Sequence, residues 1–132
     1  MLLGYRTSVF KNSKNIITKV YYKLKKGDKT EIRAAMDSFM SRRKSKQPLE
    51  FPSAGSTFKR PEGYFAGKLI QDAGLRGYTV GGAQVSEKHC GFVINKGGAT
   101  ASDIMQLIKD VQAKVMEDAG VYLETEVKLL GE

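Results

Sequence analysis

Ser56 stands in the run Ser53-Ala54-Gly55-Ser56-Thr57-Phe58-Lys59-Arg60-Pro61, whose residue types suit chemistry best in this sequence. Small residues surround one hydroxyl, and two cations and a proline follow it. Glycine at position 55 lets the backbone approach a ligand closely. Pro61 stops a helix from running on and fixes the exit. Lys59 and Arg60 bring positive charge near the hydroxyl, as an anionic substrate requires. As plain backbone, the same run reads as a polar turn between two elements.

A second basic group, Arg42, Arg43, Lys44 and Lys46, closes a helical pattern, where cations complement the helix dipole. With 22 Lys and Arg against 14 Asp and Glu, the 132-residue chain carries a net charge of +8. That balance suits an anionic partner: nucleic acid, a membrane surface or a phosphorylated small molecule. The aromatics, six Phe, six Tyr and no Trp, fall in core-like patterns instead of interleaving with the cations as a nucleic-acid surface needs. One cysteine, Cys90, excludes an intrachain disulfide and a cysteine-based zinc site. One histidine, His89, leaves little for a metal centre, and no metal is expected. No apolar run reaches the length of a membrane span, and nothing reads as a signal peptide. A cytoplasmic protein is expected. The length implies one domain, or one domain with a piece of another, and 41% apolar residues suffice for a core.

The elements that position these residues follow from periodicity. Residues 1–11 read as a turn or strand entry. Ile16, Thr18, Val20, Tyr22 and Leu24 alternate with Lys19 and Lys23, a strand pattern. Asp28 with Glu31 resembles a capping box. Ile32, Ala35, Met36, Phe39 and Met40 then form one helical apolar stripe. Residues 47–52 read as an extended connector, because residues before proline avoid the helical region. Phe65, Leu69 and Ile70 mark a short helix ended by Gly74. Residues 75–80 and 90–95 are strand candidates on either side of Gly81-Gly82. Gly97-Gly98 precedes the clearest helix, capped by Thr100 and Asp103 and closed by Gly120. A glycine pair before a helix can cradle phosphate, and it is weak evidence alone. Residues 121–130 read as a closing strand containing Glu126. Strands and helices mix without a regular βαβ rhythm, which predicts an α+β fold: a mixed sheet with packed helices.

The ordered blocks resemble the C-terminal part of the UDP-N-acetylenolpyruvoylglucosamine reductase family, flavoenzymes of peptidoglycan synthesis and hence of cell-wall formation and division. The blocks are Gly4-Tyr5-Arg6-x-Ser8-x-Phe10-Lys11, Arg42-Arg43 with Lys46-Gln47-Pro48-Leu49, Ser53-Ala54-Gly55-Ser56-x-Phe58-Lys59-Arg60-Pro61, Phe65-Ala66-Gly67-Lys68-Leu69-Ile70, Gly81-Gly82-Ala83-x-Val85-Ser86, Asn95 with Gly98-Ala99-Thr100-Ala101, and Glu126-Val127.

The resemblance implies an oxidoreductase in which NADPH reduces FAD and the enolpyruvyl double bond of UDP-N-acetylglucosamine enolpyruvate is then reduced. It makes Ser56 the proton donor and Glu126 a second catalytic residue beside the substrate carboxylate, where a raised carboxyl pKa is expected. A strand-end glutamate paired with Lys128 or Lys59 is the purely structural alternative. Tyr5, Arg43, Lys46, Arg60 and His89 match substrate-holding positions, and Gly55 and Ser56 match the cofactor side. Cys90 takes a place where relatives often carry alanine, and a small buried thiol is expected. The segment after Pro61 is short, like that of members without a lid loop, so Tyr64 takes no clamping role.

The resemblance further implies that the FAD-binding domains and a catalytic arginine lie outside this sequence. Residues 1–27 are expected to be the last strands of that region, 28–48 a connecting helix and 49–132 the UDP-sugar domain. Alone, the chain is expected to be inactive, to retain no FAD, and to self-associate through sheet edges in 1–27. A free-standing UDP-sugar module that needs a flavin-domain partner, and a basic nucleic-acid-binding protein, are the competing readings. Neither nucleic acid nor membrane is expected as a partner under the leading one.

Overall fold

In a computed structural model, residues 2–130 are described. Contacts divide the chain into two compact units, residues 1–33 and 34–132.

The first unit opens with a turn in which the Gly4 and Thr7 backbones bond each other at 3.0 and 3.3 Å. Residues 16–24 form no strand, against the alternation of their side chains. A strand exists only as one side of a hydrogen-bonded pair, and no described segment pairs with this one. Ile16, Tyr22 and Leu24 are correspondingly exposed. Among the described residues 2–27, the one pairing is the Gly4–Thr7 bridge.

Helix α1 spans Lys29–Lys46. Asp28 starts it: its Oδ1 accepts from the N–H groups of Thr30 and Glu31 at 2.9 and 3.0 Å, satisfying donors that a helix start leaves open. Arg43, Lys44 and Lys46 fill the last turn. The apolar stripe exists but covers nothing: no residue of α1 is buried, and Phe39 is 63% exposed.

The second unit carries an antiparallel sheet of β1 (Ser53–Ser56), β2 (Thr79–Val80), β3 (Ala83–Val85) and β4 (Phe92–Asn95), in the order β1-β4-β3-β2. The α+β class holds, but all three strand pairings are antiparallel, so the sheet is not mixed. Helices α2 (Ala66–Asp72) and α3 (Ala101–Ala119) complete it.

Thr100 and Asp103 form a reciprocal capping box at the start of α3, and Gly120 ends it at φ 65°. Leu107, Ile108, Val111 and Val115 of α3 are buried with Ala83, Val85 and Val93 of the sheet, Ile70 of α2, Phe58 and Leu123. Burying each large aliphatic side chain contributes about 1.5–3 kcal/mol. Phe92 and Ile94 are buried but stay outside that cluster, because successive strand residues face opposite sides.

Other expectations need correction. Residues 47–52 turn instead of extending, with Phe51 N–H donating to Pro48 C=O at 3.2 Å. Ser53–Ser56, the first part of the Ser56 run, form a strand instead of a turn. Only Thr79 and Val80 of the 75–80 segment pair, against β3, which the sequence pattern hid among glycines. Residues 121–130 form one bridge, Phe58 with Thr125, in place of a continuous strand.

Gly81 and Gly82 make the β2–β3 hairpin, and a β-carbon on Gly82 would lie 2.8 Å from Ala99 Cα. The start of α3 holds its own anion: the Asp103 carboxylate accepts from Thr100 N–H at 2.9 Å. Hydrogen bonds from the Thr100 backbone and hydroxyl, with a lesser one from the Gly82 backbone, hold that carboxyl below its ordinary pKa against the opposing effect of burial. Asp103 thus supplies the negative charge that a phosphate would otherwise bring to this helix start.

Candidate active site

Ser56 reaches its place through a β-bulge. Ser53 pairs with Ile94 and Ser56 with Phe92, so three steps along β1 match two along β4. Gly55 takes up the extra residue at φ 87°, a left-handed conformation that favours glycine. Without the bulge, Ser53 and Gly55 would share a sheet face. With it, Ser56 shares the face of Ser53, Phe92 and Ile94, opposite the Val93 side that meets α3. The Ser56 hydroxyl is exposed and donates to Phe58 C=O at 3.3 Å.

His89 stands beside it. Its ring meets Phe92 edge-on, with centroids 5.0 Å apart and planes at 70°. Its Nδ1 accepts from Gly91 N–H at 3.1 Å. Gly91 C=O accepts in turn from Thr57 N–H at 2.8 Å, which ties the His89 loop to the residue after Ser56. Cys90 is buried, as expected, and burial pushes its thiol pKa up despite the opposing charge of Arg76. An inert, protonated thiol follows.

Glu126 is joined to the residue that follows Ser56: its N–H donates to Thr57 C=O at 2.8 Å. Lys59 pairs with Glu124. Arg43 and Gly55 line one pocket of about 380 Å³ together with Gln47, Pro48, Phe51 and Phe92. Arg43 Nε donates to Gln47 Oε1 at 3.1 Å, which orients the guanidinium.

Lys46 is exposed in the last turn of α1 and outside that pocket lining. Arg60 stacks over Phe65 at 4.0 Å and donates to Tyr64 C=O at 3.2 Å. Tyr64 is exposed. Tyr5 belongs to the first unit and is exposed there. Sequence reasoning missed Gln47 and Phe92 as site residues. Gln47 lay within a recognised block, and the signal for Phe92 was the register across β1 and β4, which no single segment carries.

Among the described residues, no group of three His, Cys, Asp or Glu is placed to hold a metal ion, and no helix is long and apolar enough to cross a membrane.

The chain is an α+β domain in which a bulged edge strand carries Ser56 and Arg43 lines a pocket against Gly55 of that strand. Residues 47–130 match the family described as UDP-N-acetylenolpyruvoylglucosamine reductase, C-terminal domain, and the chain belongs to that family. It is 59% identical over 130 residues to the UDP-N-acetylenolpyruvoylglucosamine reductase of Agathobacter rectalis, covering 98% of this chain and 41% of the relative. The reductase of that name from Lachnoclostridium phytofermentans is also 59% identical over 130 residues, covering 98% of this chain and 42% of the relative. The chain thus spans about two fifths of the length of these curated relatives. A crystal structure of UDP-N-acetylenolpyruvylglucosamine reductase from Thermus caldophilus superimposes with a TM-score of 0.66 at 38% identity, over 80% of this chain and 37% of that one.

Proposed function

We propose that residues 49–132 form the substrate-binding domain of a UDP-N-acetylenolpyruvoylglucosamine reductase, with 28–48 a connecting helix and 1–27 the end of a preceding FAD-binding region. The reading is carried by the Gly55 bulge, which puts Ser56 on one sheet face with Phe92 and beside His89, within the matched residues. The substrate is UDP-N-acetylglucosamine enolpyruvate, and the reaction adds a hydride and a proton across its double bond to give UDP-N-acetylmuramate. NADPH-reduced FAD, when bound, supplies the hydride. This chain offers that group Gly55 and Ser56: a β-carbon on Gly55 would meet nothing within 4 Å, so the bulge leaves an open approach. The rest of the FAD contacts and a catalytic arginine belong to protein beyond this chain, which by itself is inactive and cytoplasmic.

Within the chain, Ser56 gives its hydroxyl proton to the carbon left electron-rich by hydride addition. To do so the hydroxyl turns away from the Phe58 carbonyl that it now faces at 3.3 Å. A positioned proton donor contributes about 10²–10⁴ in rate. Arg43 and His89 supply a cation and a hydrogen-bond donor for the anionic substrate. Arg60, Lys46 and Tyr5 join them once the complete enzyme closes around the diphosphate. Glu126 shares a proton with the substrate carboxylate, since two bare carboxylates repel. NMR titration of Glu126 in the complete enzyme should show a raised pKa, and an ordinary glutamate value removes that role.

Calorimetric titration of this chain with UDP-N-acetylglucosamine enolpyruvate tests the whole reading, with an absorbance spectrum of the same sample. Binding heat without flavin absorbance is expected. Absence of binding by a folded chain overturns the assignment of 49–132 as the substrate domain.

A further inference from the structure

The His89 ring sits between two glycines from different parts of the fold. A β-carbon built on Gly91 would lie 3.0 Å from His89 Cε1 and 3.1 Å from Nδ1. One built on Gly67, in the first turn of α2, would lie 3.2 Å from His89 Cε1 and 3.2 Å from Gly91 N. Neither glycine has the left-handed backbone that would by itself call for glycine. The space that the imidazole takes up accounts for both glycines.

We propose that Gly67 and Gly91 are positioning residues that form a slot for His89, fixing its neutral ring as a hydrogen-bond donor beside Ser56. Gly91 N–H donates to Nδ1, so the ring proton sits on Nε2. The Phe92 edge contact at 5.0 Å sets the ring plane, and Phe92 pairs across the sheet with Ser56. Gly67 and Gly91 lie against Cε1 and Nδ1 and Phe92 against the ring, while the residue as a whole is exposed, which leaves Nε2–H as the part of the ring offered to a ligand. The group it fits is an anionic oxygen, a phosphate or a carboxylate. The ligand half of this inference rests on the substrate assignment above; the slot itself does not.

The test separates the two halves. Nitrogen-15 NMR of the imidazole in this chain, at pH 8.5 and without ligand, reads the tautomer directly. The Nε2–H form is expected to dominate in the parent chain. In Gly67→Ala, alanine suits the helical backbone, so native backbone resonances are expected to persist. The new methyl displaces the ring, and the imidazole becomes a mixture of tautomers. A mixed tautomer in the parent chain overturns the slot, even if Gly67→Ala fails to fold. An unchanged Nε2–H form in a folded Gly67→Ala chain overturns it too. Titration with UDP then reads the ligand half, where Gly67→Ala should weaken binding about tenfold, one hydrogen bond's worth. With the tautomer fixed in the parent chain and mixed in Gly67→Ala, equal UDP affinity in both chains overturns the donor role, and no UDP binding by either overturns the substrate assignment while the slot stands.

Discussion

The N–H of Glu126 donates to the carbonyl of Thr57 at 2.8 Å, so the two proposed catalytic residues are linked through the residue that follows Ser56. Seventy positions of sequence separate them, yet one antiparallel contact, flanked by the Phe58–Thr125 bridge, sets their spacing. Any change in β1 that shifts its register moves both groups.

Gly55→Ala tests the bulge. Nothing lies within 4 Å of the added carbon, so the cost comes from the backbone at φ 87°. A loss of about 1–2 kcal/mol is expected in urea unfolding. An unchanged midpoint would mean that the bulge does not depend on glycine.

Ser56→Ala removes an exposed hydroxyl whose one hydrogen bond is long. Stability should stay within about 0.5 kcal/mol of the parent. In the complete reductase, turnover should fall by about 10²–10⁴. Undiminished turnover would assign the proton to another donor.

Gly82→Ala should be far more damaging than Gly55→Ala. Its β-carbon would meet the backbone of Gly97 and Ala99, which cannot rotate away as a side chain can. A loss of about 3 kcal/mol is expected, comparable to overpacking a core. Thermal unfolding of the two variants side by side would show the order.

Asp103 makes stability depend on pH. Its carboxyl is held below its ordinary pKa in the folded chain. Its contribution is therefore fully present above the unfolded value, near 4, and is lost as pH falls through the lower folded value. Asp103→Asn should be less stable than the parent at pH 7, and the difference should shrink from pH 4 downward. A difference that does not change with pH would mean that the cap acts without its charge.

Phe39 lies on the open stripe of α1 and is 63% exposed. Phe39→Ser should change the unfolding free energy of this chain by less than about 0.5 kcal/mol. A loss above about 2 kcal/mol would show that the stripe is covered in solution.

Local physics was enough for much of the chain. The period of Ile104, Leu107, Ile108, Val111 and Val115, with Thr100, Asp103 and Gly120 at its ends, dictates α3 in full. Asp28 and the last-turn cations likewise bound α1. The Ser56 run was visible because small residues, a hydroxyl and cations are unusual together. What tertiary structure decided was everything that needs a partner. The alternation in 16–24 is sound, but a strand forms only against another strand, and none is described there. β3 is three residues long and became a strand only by lying between β2 and β4. The face on which Ser56 stands depends on one extra residue in a register. The contact of His89 with two glycines, 67 and 91, depends on the packing that brings them together. Side-chain periodicity is encoded in neighbours along the chain; register and enclosure are set by neighbours across space.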